Sequence, residues 1–249
     1  CYYYAFDQMP TTIPKLTDEN RLTDTELQVS IPDDGVWYFH LICEDNAGNI
    51  SPQAEHYSIK VDREISGIVI KSPTHAKDEF ANQINVHLQW KARDAGSGIE
   101  GYYILLEQKV VDRFEVERAE WTKDEERVYK NLSDGIWYFH VLARDKVGNI
   151  SSDPAIYKFG IDTVAEAPEI GSPTHPENYG WCKEDNAVLT WQPVADLSGV
   201  KGYLYWLDNK PYTQPQKEFS NFTEQTKVEL TLPGEGIWYF HLATLDQAG

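Results

Sequence analysis

GVWYFHLICED at 35–45 returns as GIWYFHVLARD at 135–145 and as GIWYFHLATLD at 236–246. A stretch that recurs at steps of 100 and 101 residues marks tandem copies of one unit. Within it Trp37, Phe39 and Leu41 alternate with Tyr38, His40 and Ile42, the period of a strand with one face buried. In the second copy that places Trp137, Phe139 and Val141 inward, with Tyr138 and His140 on the outer side.

Distances from this strand order the rest of the chain. Cys1, Gly101 and Gly202 each lie 34 residues before its opening glycine, so Cys1 holds the place of a mid-unit glycine. Residues 1–62 are therefore expected to be the C-terminal part of a first β-sandwich. Its strands are Tyr2–Asp7, a strand with Leu27, Val29 and Ile31 inward, the repeated strand, and a last one with Tyr57, Ile59 and Val61 inward. Residues 63–162 form the complete unit, with a first strand at Gly67–Lys71 and Ile84, Val86, Leu88 and Trp90 inward on the next. The charged stretch 108–127 carries no turn residue and reads as a solvated connection, the alternatives being a helical turn or a long polar edge excursion. Residues 163–249 repeat SPTH at 172–175 and Trp191 in the place of Trp90, and lack a last strand. About seven strands per 100 residues, with no convincing helix, predict an all-β chain of tandem antiparallel β-sandwiches, the first and last incomplete. The equal spacing from Asp62 to Ser72 and from Asp162 to Ser172 predicts short, similar joints in an extended chain.

Composition narrows the partners. The 249 residues are 41% apolar and 13% aromatic with eight Trp, enough for a core in each unit. Forty acidic against 22 basic residues give a net charge of −18 with no basic cluster, which disfavours nucleic acid and anionic membranes. No apolar run approaches the roughly 20 residues of a membrane span, and no signal-peptide pattern opens the chain. The single Met is Met9, so the residues read as an internal piece of a longer polypeptide, and location is left open on this ground. Three Cys that do not repeat argue against a disulfide framework; Cys43, aligned with Ala143 and Thr244, is expected to face the core, and Cys182 lies in a polar loop.

The stretch L-x-D-G-I-W-Y-F-H-V-x-A-R-D-x-x-G-N-I-S at 132–151 resembles the penultimate strand and turn of fibronectin type III domains, and Trp90 matches that family's strand-B tryptophan. SPTHPENYGW at 172–181, W-x-P at 191–193, D-x-S-G-V-x-G-Y at 196–203 and D-x-x-P-x-T-x-P at 208–215 resemble bacterial fibronectin type III-like or Ig-like repeats of long surface and secreted proteins. Asp7, Pro10, Thr12 and Pro14 keep the last of these motifs, whereas the second copy has Glu107 to Phe114 there. Where the family has a corner tyrosine this chain has Trp137, which can donate only from its ring nitrogen, so the corner bond is not expected to carry over. The resemblance implies non-catalytic structural or interaction repeats in a cell-surface, secreted or periplasmic bacterial protein.

Chemistry-bearing residues are sparse. No HExxH, CxxC, GxSxG or phosphate-cradling loop is present, so an enzyme is not expected. His40, His140 and His241 are one repeated position, as are His75 and His175, and read as parts of the unit. No cofactor is expected, with calcium as the one candidate: Asp62, Glu64, Asp162 and Glu166 at the joints, joined by Asp94 or Asp196 from nearby turns, supply oxygen ligands. Tyr138, His140 and Trp206 are the candidate contacts for a sugar or partner. The expected partners are neighbouring repeats of the same polypeptide, proteins or glycans at the cell surface, or further copies assembled into a fibre. The other roles considered are a carbohydrate-binding accessory module of a larger enzyme and a sensing receptor ectodomain.

Overall fold

The computed structural model describes residues 1–109, 113–178 and 180–249. The first repeat supplies strands β1 (Tyr2–Asp7), β2 (Arg21–Leu22), β3 (Gly35–Cys43) and β4 (Glu55–Val61). The second supplies β5 (Ser66–Lys71), β6 (Phe80–Ala81), β7 (Val86–Arg93), β8 (Ile99–Glu107), β9 (Glu120–Thr122), β10 (Glu126–Tyr129), β11 (Gly135–Asp145) and β12 (Ala155–Ile161). The third supplies β13 (Ile170–Gly171), β14 (Asn186–Trp191), β15 (Val200–Asp208), β16 (Asn221–Thr223), β17 (Lys227–Thr231) and β18 (Tyr239–Asp246).

The second repeat is a sandwich of two sheets, ordered β10-β7-β5 and β6-β12-β11-β8-β9, antiparallel throughout except where β6 runs parallel to β12. Alternation in β7 places Val86, Leu88, Trp90 and Ala92 inward, against Phe139, Val141 and Ala143 of β11 and Phe159 and Ile161 of β12. Trp90 sits 5.2 Å from the ring of Phe139 and edge-on to Tyr102 at 6.1 Å. Ile84, expected on this strand, precedes it and is partly exposed. Its carbonyl is taken by the Leu132 N–H instead. The fold class is that expected: all-β, with antiparallel sandwiches.

Glycine at 101 and 202 has a steric cause. A Cβ at Gly101 would lie 2.6 Å from the Trp121 ring and 2.7 Å from the Thr122 carbonyl; at Gly202 it would meet Phe222 at 2.5 Å and the Thr223 carbonyl at 2.9 Å. The edge strands β9 and β16 thus lie over a bare backbone.

Residues 1–61 form one sheet, ordered β2-β1-β3-β4, and its inner face shows what the facing sheet does elsewhere. Tyr57 is 71% exposed where Tyr157 is 5%, and Cys43, expected to face a core, is exposed where Ala143 is fully buried. The expected strand at Leu27, Val29 and Ile31 does not form. Its counterpart β10 is held by β7, and residues 1–61 contain no strand in the place of β7. Segment 24–29 instead lies over the sheet, leaving a groove of about 460 Å³ lined by Tyr2, Leu27, Phe39, Leu41, Tyr57 and Ile59.

In the third repeat β13-β14-β17 faces β16-β15-β18 around Trp191, Tyr203 and Val228. Strand β18 begins at Tyr239, not at Gly236 as the repeat suggested. Gly135, Ile136 and Trp137 pair only with β12, and residues up to 249 hold no such strand for Gly236, Ile237 and Trp238. Trp181, in the place of Phe80, is 88% exposed for the same reason, since Phe80 packs on Gly160 of β12.

One expectation about the repeated tryptophan is corrected. The indole N–H of Trp37 donates to the carbonyl of Asp33 at 3.0 Å, that of Trp137 to Ser133 at 3.0 Å, and that of Trp238 to Gly234 at 2.9 Å. A tryptophan therefore closes the corner, because a ring N–H reaches the same kind of backbone acceptor as a phenol O–H.

Candidate metal centres at the repeat joints

Asp62 follows β4 and Asp162 follows β12, and both are built into the repeat that comes next. The Asp62 carboxylate accepts the Ser97 N–H at 2.6 Å, and its carbonyl accepts the Asn149 side-chain amide at 2.9 Å. At the second joint the Asp162 carboxylate accepts the Ser198 N–H at 2.8 Å. The residue after each joint aspartate is held by the preceding repeat. Arg63 donates its N–H and a guanidinium N–H to Asp34 at 2.7 and 2.9 Å, and another to the Ile31 carbonyl at 2.8 Å. Thr163 donates its hydroxyl to Asp134 at 3.0 Å.

Two Asp-initiated turns of the following repeat lie against each joint aspartate. In D-A-G-S-G the Asp94 carboxylate accepts the Gly96 and Gly98 N–H groups; in D-K-V-G-N the Asp145 carboxylate accepts those of Val147, Gly148 and Asn149 and the Asn149 side chain. Gly98 and Gly148, at φ +86 and +97, provide the left-handed bends that these turns require. Burial pushes the Asp145 carboxyl up, but its hydrogen bonds from Asn149, Gly148 and Val147 outweigh that and hold it below the usual carboxylate range. In the third repeat Asp196 and Asp246 cap the corresponding turns at Gly199 and Gly249.

The result is one acidic triad at each joint: Asp62, Asp94 and Asp145, then Asp162, Asp196 and Asp246, with the facing oxygens of each set within 4.8 Å of one another. Among the described residues no Lys or Arg forms an ion pair with any of the six. An all-carboxylate donor set suits a hard cation such as Ca²⁺, which takes six to eight oxygens. Of the residues expected at the joints, the structure brings Asp62 and Asp162 together with Asp94 and Asp196. Glu64 and Glu166 stand apart from the triads; Glu64 is exposed, and Glu166 offers only its backbone carbonyl, to the Thr244 hydroxyl at 2.6 Å. Asp145 and Asp246, which end the repeated strand, complete the triads and are not among the residues that the sequence points to.

The outer side of that strand is not open. His140 lies on the expected side but is wholly buried, with the Phe114 ring 6.2 Å away and neither ring nitrogen partnered among the described residues. The charged connection thus covers the sheet: besides Phe114, Arg118 in a one-turn 3-10 helix (Val116–Arg118) pairs with Glu107 at 2.8 Å. Residues 110–112 of that connection lie outside the described residues. Tyr138 is half-buried, and Trp206 is half-buried edge-on to Phe219 at 5.4 Å. In the other repeats the histidine meets the aspartate of D-x-x-P-x-T-x-P: His40 with Asp7 and His241 with Asp208, each at 3.2 Å. Thr213 also donates to Asp208 at 2.6 Å, which with the Lys210 N–H and His241 holds that carboxyl below its ordinary range. The recurring histidine thus ties the loop after β1 or β15 to the central strand.

No family model matches the sequence. Among solved structures the chain is similar to the chicken CNTN1 FN1-FN3 domains, at 14% identity over 86% of this chain and 71% of that one, with a TM-score of 0.35. It is also similar to domains A168-A170 from titin, at 14% identity over 100% and 82% of the two chains, with a TM-score of 0.44. The class defined by the fold and its joints is that of tandem β-sandwich repeats.

Proposed function

We propose that this chain is a non-catalytic run of repeats serving as a spacer or adhesive segment of a larger bacterial cell-surface, secreted or periplasmic protein. One observation carries the mechanical part of that reading: at both joints the aspartate carboxylate accepts a backbone N–H from the first turn of the next repeat, while the residue after it is held by an aspartate of the preceding repeat. A linker held from both sides by hydrogen bonds transmits orientation from one repeat to the next, whereas a solvated linker would let each repeat turn freely. The bacterial surface setting rests on the resemblance of the repeat motifs. Among the described residues no helix is long and apolar enough to cross a membrane. Small-angle scattering at physiological salt tests the spacer reading: the maximum dimension of the chain should stay constant with temperature up to unfolding. A continuous distribution of compact and extended forms would overturn it.

A second reading is favoured by the triads: Ca²⁺ braces the joints. Three carboxylates facing one another repel, and a divalent ion would turn that repulsion into attraction. Melting in calcium against EDTA tests this. Millimolar Ca²⁺ should raise Tm, and Asp246→Asn should reduce the rise; no shift at that concentration rejects calcium and leaves the hydrogen-bonded joint standing.

A further inference from the structure

His56 is a histidine that the repeat does not account for. Its counterpart in the second repeat is Ile156, and the third repeat, up to residue 249, has no strand at that position. It lies on β4 directly across from His40 of β3, and the two Nδ1 atoms are 2.6 Å apart, with the rings edge to face at 75°. The Nε2 of His40 faces the Asp7 carboxylate at 3.2 Å. A carboxylate acts only as acceptor, so Nε2 carries the proton and the lone pair of His40 sits on Nδ1, toward His56.

We propose that His40 and His56 bind a divalent transition-metal ion, Zn²⁺ being the probe ion, through their two Nδ1 atoms, with Asp7 as the outer partner that orients His40. A carboxylate on the far nitrogen of a ligating imidazole fixes its tautomer and raises its basicity. Imidazole nitrogens suit Zn²⁺, Cu²⁺ and Ni²⁺ over Ca²⁺ or Mg²⁺, which separates this site from the acidic triads. His40 is fully buried, whereas His56 is exposed. Zn–N bonds of about 2.0–2.1 Å at a tetrahedral angle set the two nitrogens about 3.4 Å apart, so the His56 ring opens by under about 1 Å. Before binding, the His56 Nδ1–H donates to His40; on binding, that proton leaves Nδ1 and Nε2 takes one from solvent, so the ring stays neutral. Water fills the remaining positions. The second repeat cannot form the site, having Ile156 in place of the second ligand, and in the third the Asp208–His241 pair stands alone.

Calorimetric titration of the whole chain with ZnCl₂ tests this. One ion per chain is expected. His56→Ile, an exposed change to the residue that the second repeat already carries, should abolish it. Asp7→Asn, checked for folding by circular dichroism, should weaken it at least about 10-fold, and His241→Phe should leave it unchanged. An unaltered isotherm in His56→Ile, or the absence of any zinc binding in the parent chain, would overturn the proposal.

Discussion

The carboxylate of Asp62, the first residue after the last strand of one repeat, accepts the backbone N–H of Ser97 in the next at 2.6 Å, and Asp162 repeats this with Ser198 at 2.8 Å. Hydrogen bonds to a charged acceptor are among the stronger ones. Here they fall where one repeat passes into the next, and Asp34 holds the following residue, Arg63, from the other side.

That second clamp can be tested by trypsin, which cuts after arginine. Asp34→Ala removes the acceptor of two Arg63 donors. Cleavage after Arg63 should then rise several-fold under native conditions, while the rate at other sites is unchanged, because proteolysis follows local opening.

The repeated strand offers an internal control for core formation. Phe139 is fully buried between two sheets, whereas Phe39 lines the open groove of the first repeat. Phe139→Ala should cost about 3–5 kcal/mol in chemical denaturation of the second repeat. Phe39→Ala should cost well under that, since no facing sheet packs on it.

Much of this was legible in the chain because strand alternation and repeat spacing are local signals. Val86, Leu88 and Trp90, the short joints and the acidic residues Asp62, Asp94, Asp162 and Asp196 could all be placed from them. What escaped depended on partners distant in sequence. The exposure of Cys43 and Tyr57 depends on a facing sheet, and the late start of β18 on a neighbouring strand. The burial of His140 depends on a charged connection that folds back and sets Phe114 against its ring. Asp145 was hidden in plain view, since its role as a turn cap and joint ligand appears only when three loops meet.

His140 carries a pH signature. Burial lowers its pKa from the ordinary histidine value, an effect that Glu107 partly offsets. The unfolded chain therefore takes up the proton first, and the folded state loses stability as pH falls below about 6.5, with no contribution above it. Urea titrations at pH 5.5 and 7.5 should show His140→Leu stabilising the second repeat at both, because two buried ring nitrogens that have no partner among the described residues are removed. The gain should be larger at pH 5.5.

Gly101→Ala tests the close approach of β9. Its Cβ would meet the Thr122 carbonyl, which has no side-chain freedom with which to yield. A loss of about 1–3 kcal/mol is expected, visible as a lower denaturation midpoint with an unchanged slope.

The orientation of successive repeats is most directly read by spin labels at two exposed positions, Lys91 in the second repeat and Lys227 in the third, with the inter-label distance distribution measured by pulsed electron resonance. A single narrow distribution is predicted for the parent chain, broadening in Asp162→Ala while both repeats keep their melting behaviour. A parent distribution already as broad as that of the variant would contradict a joint that sets the orientation of one repeat on the next.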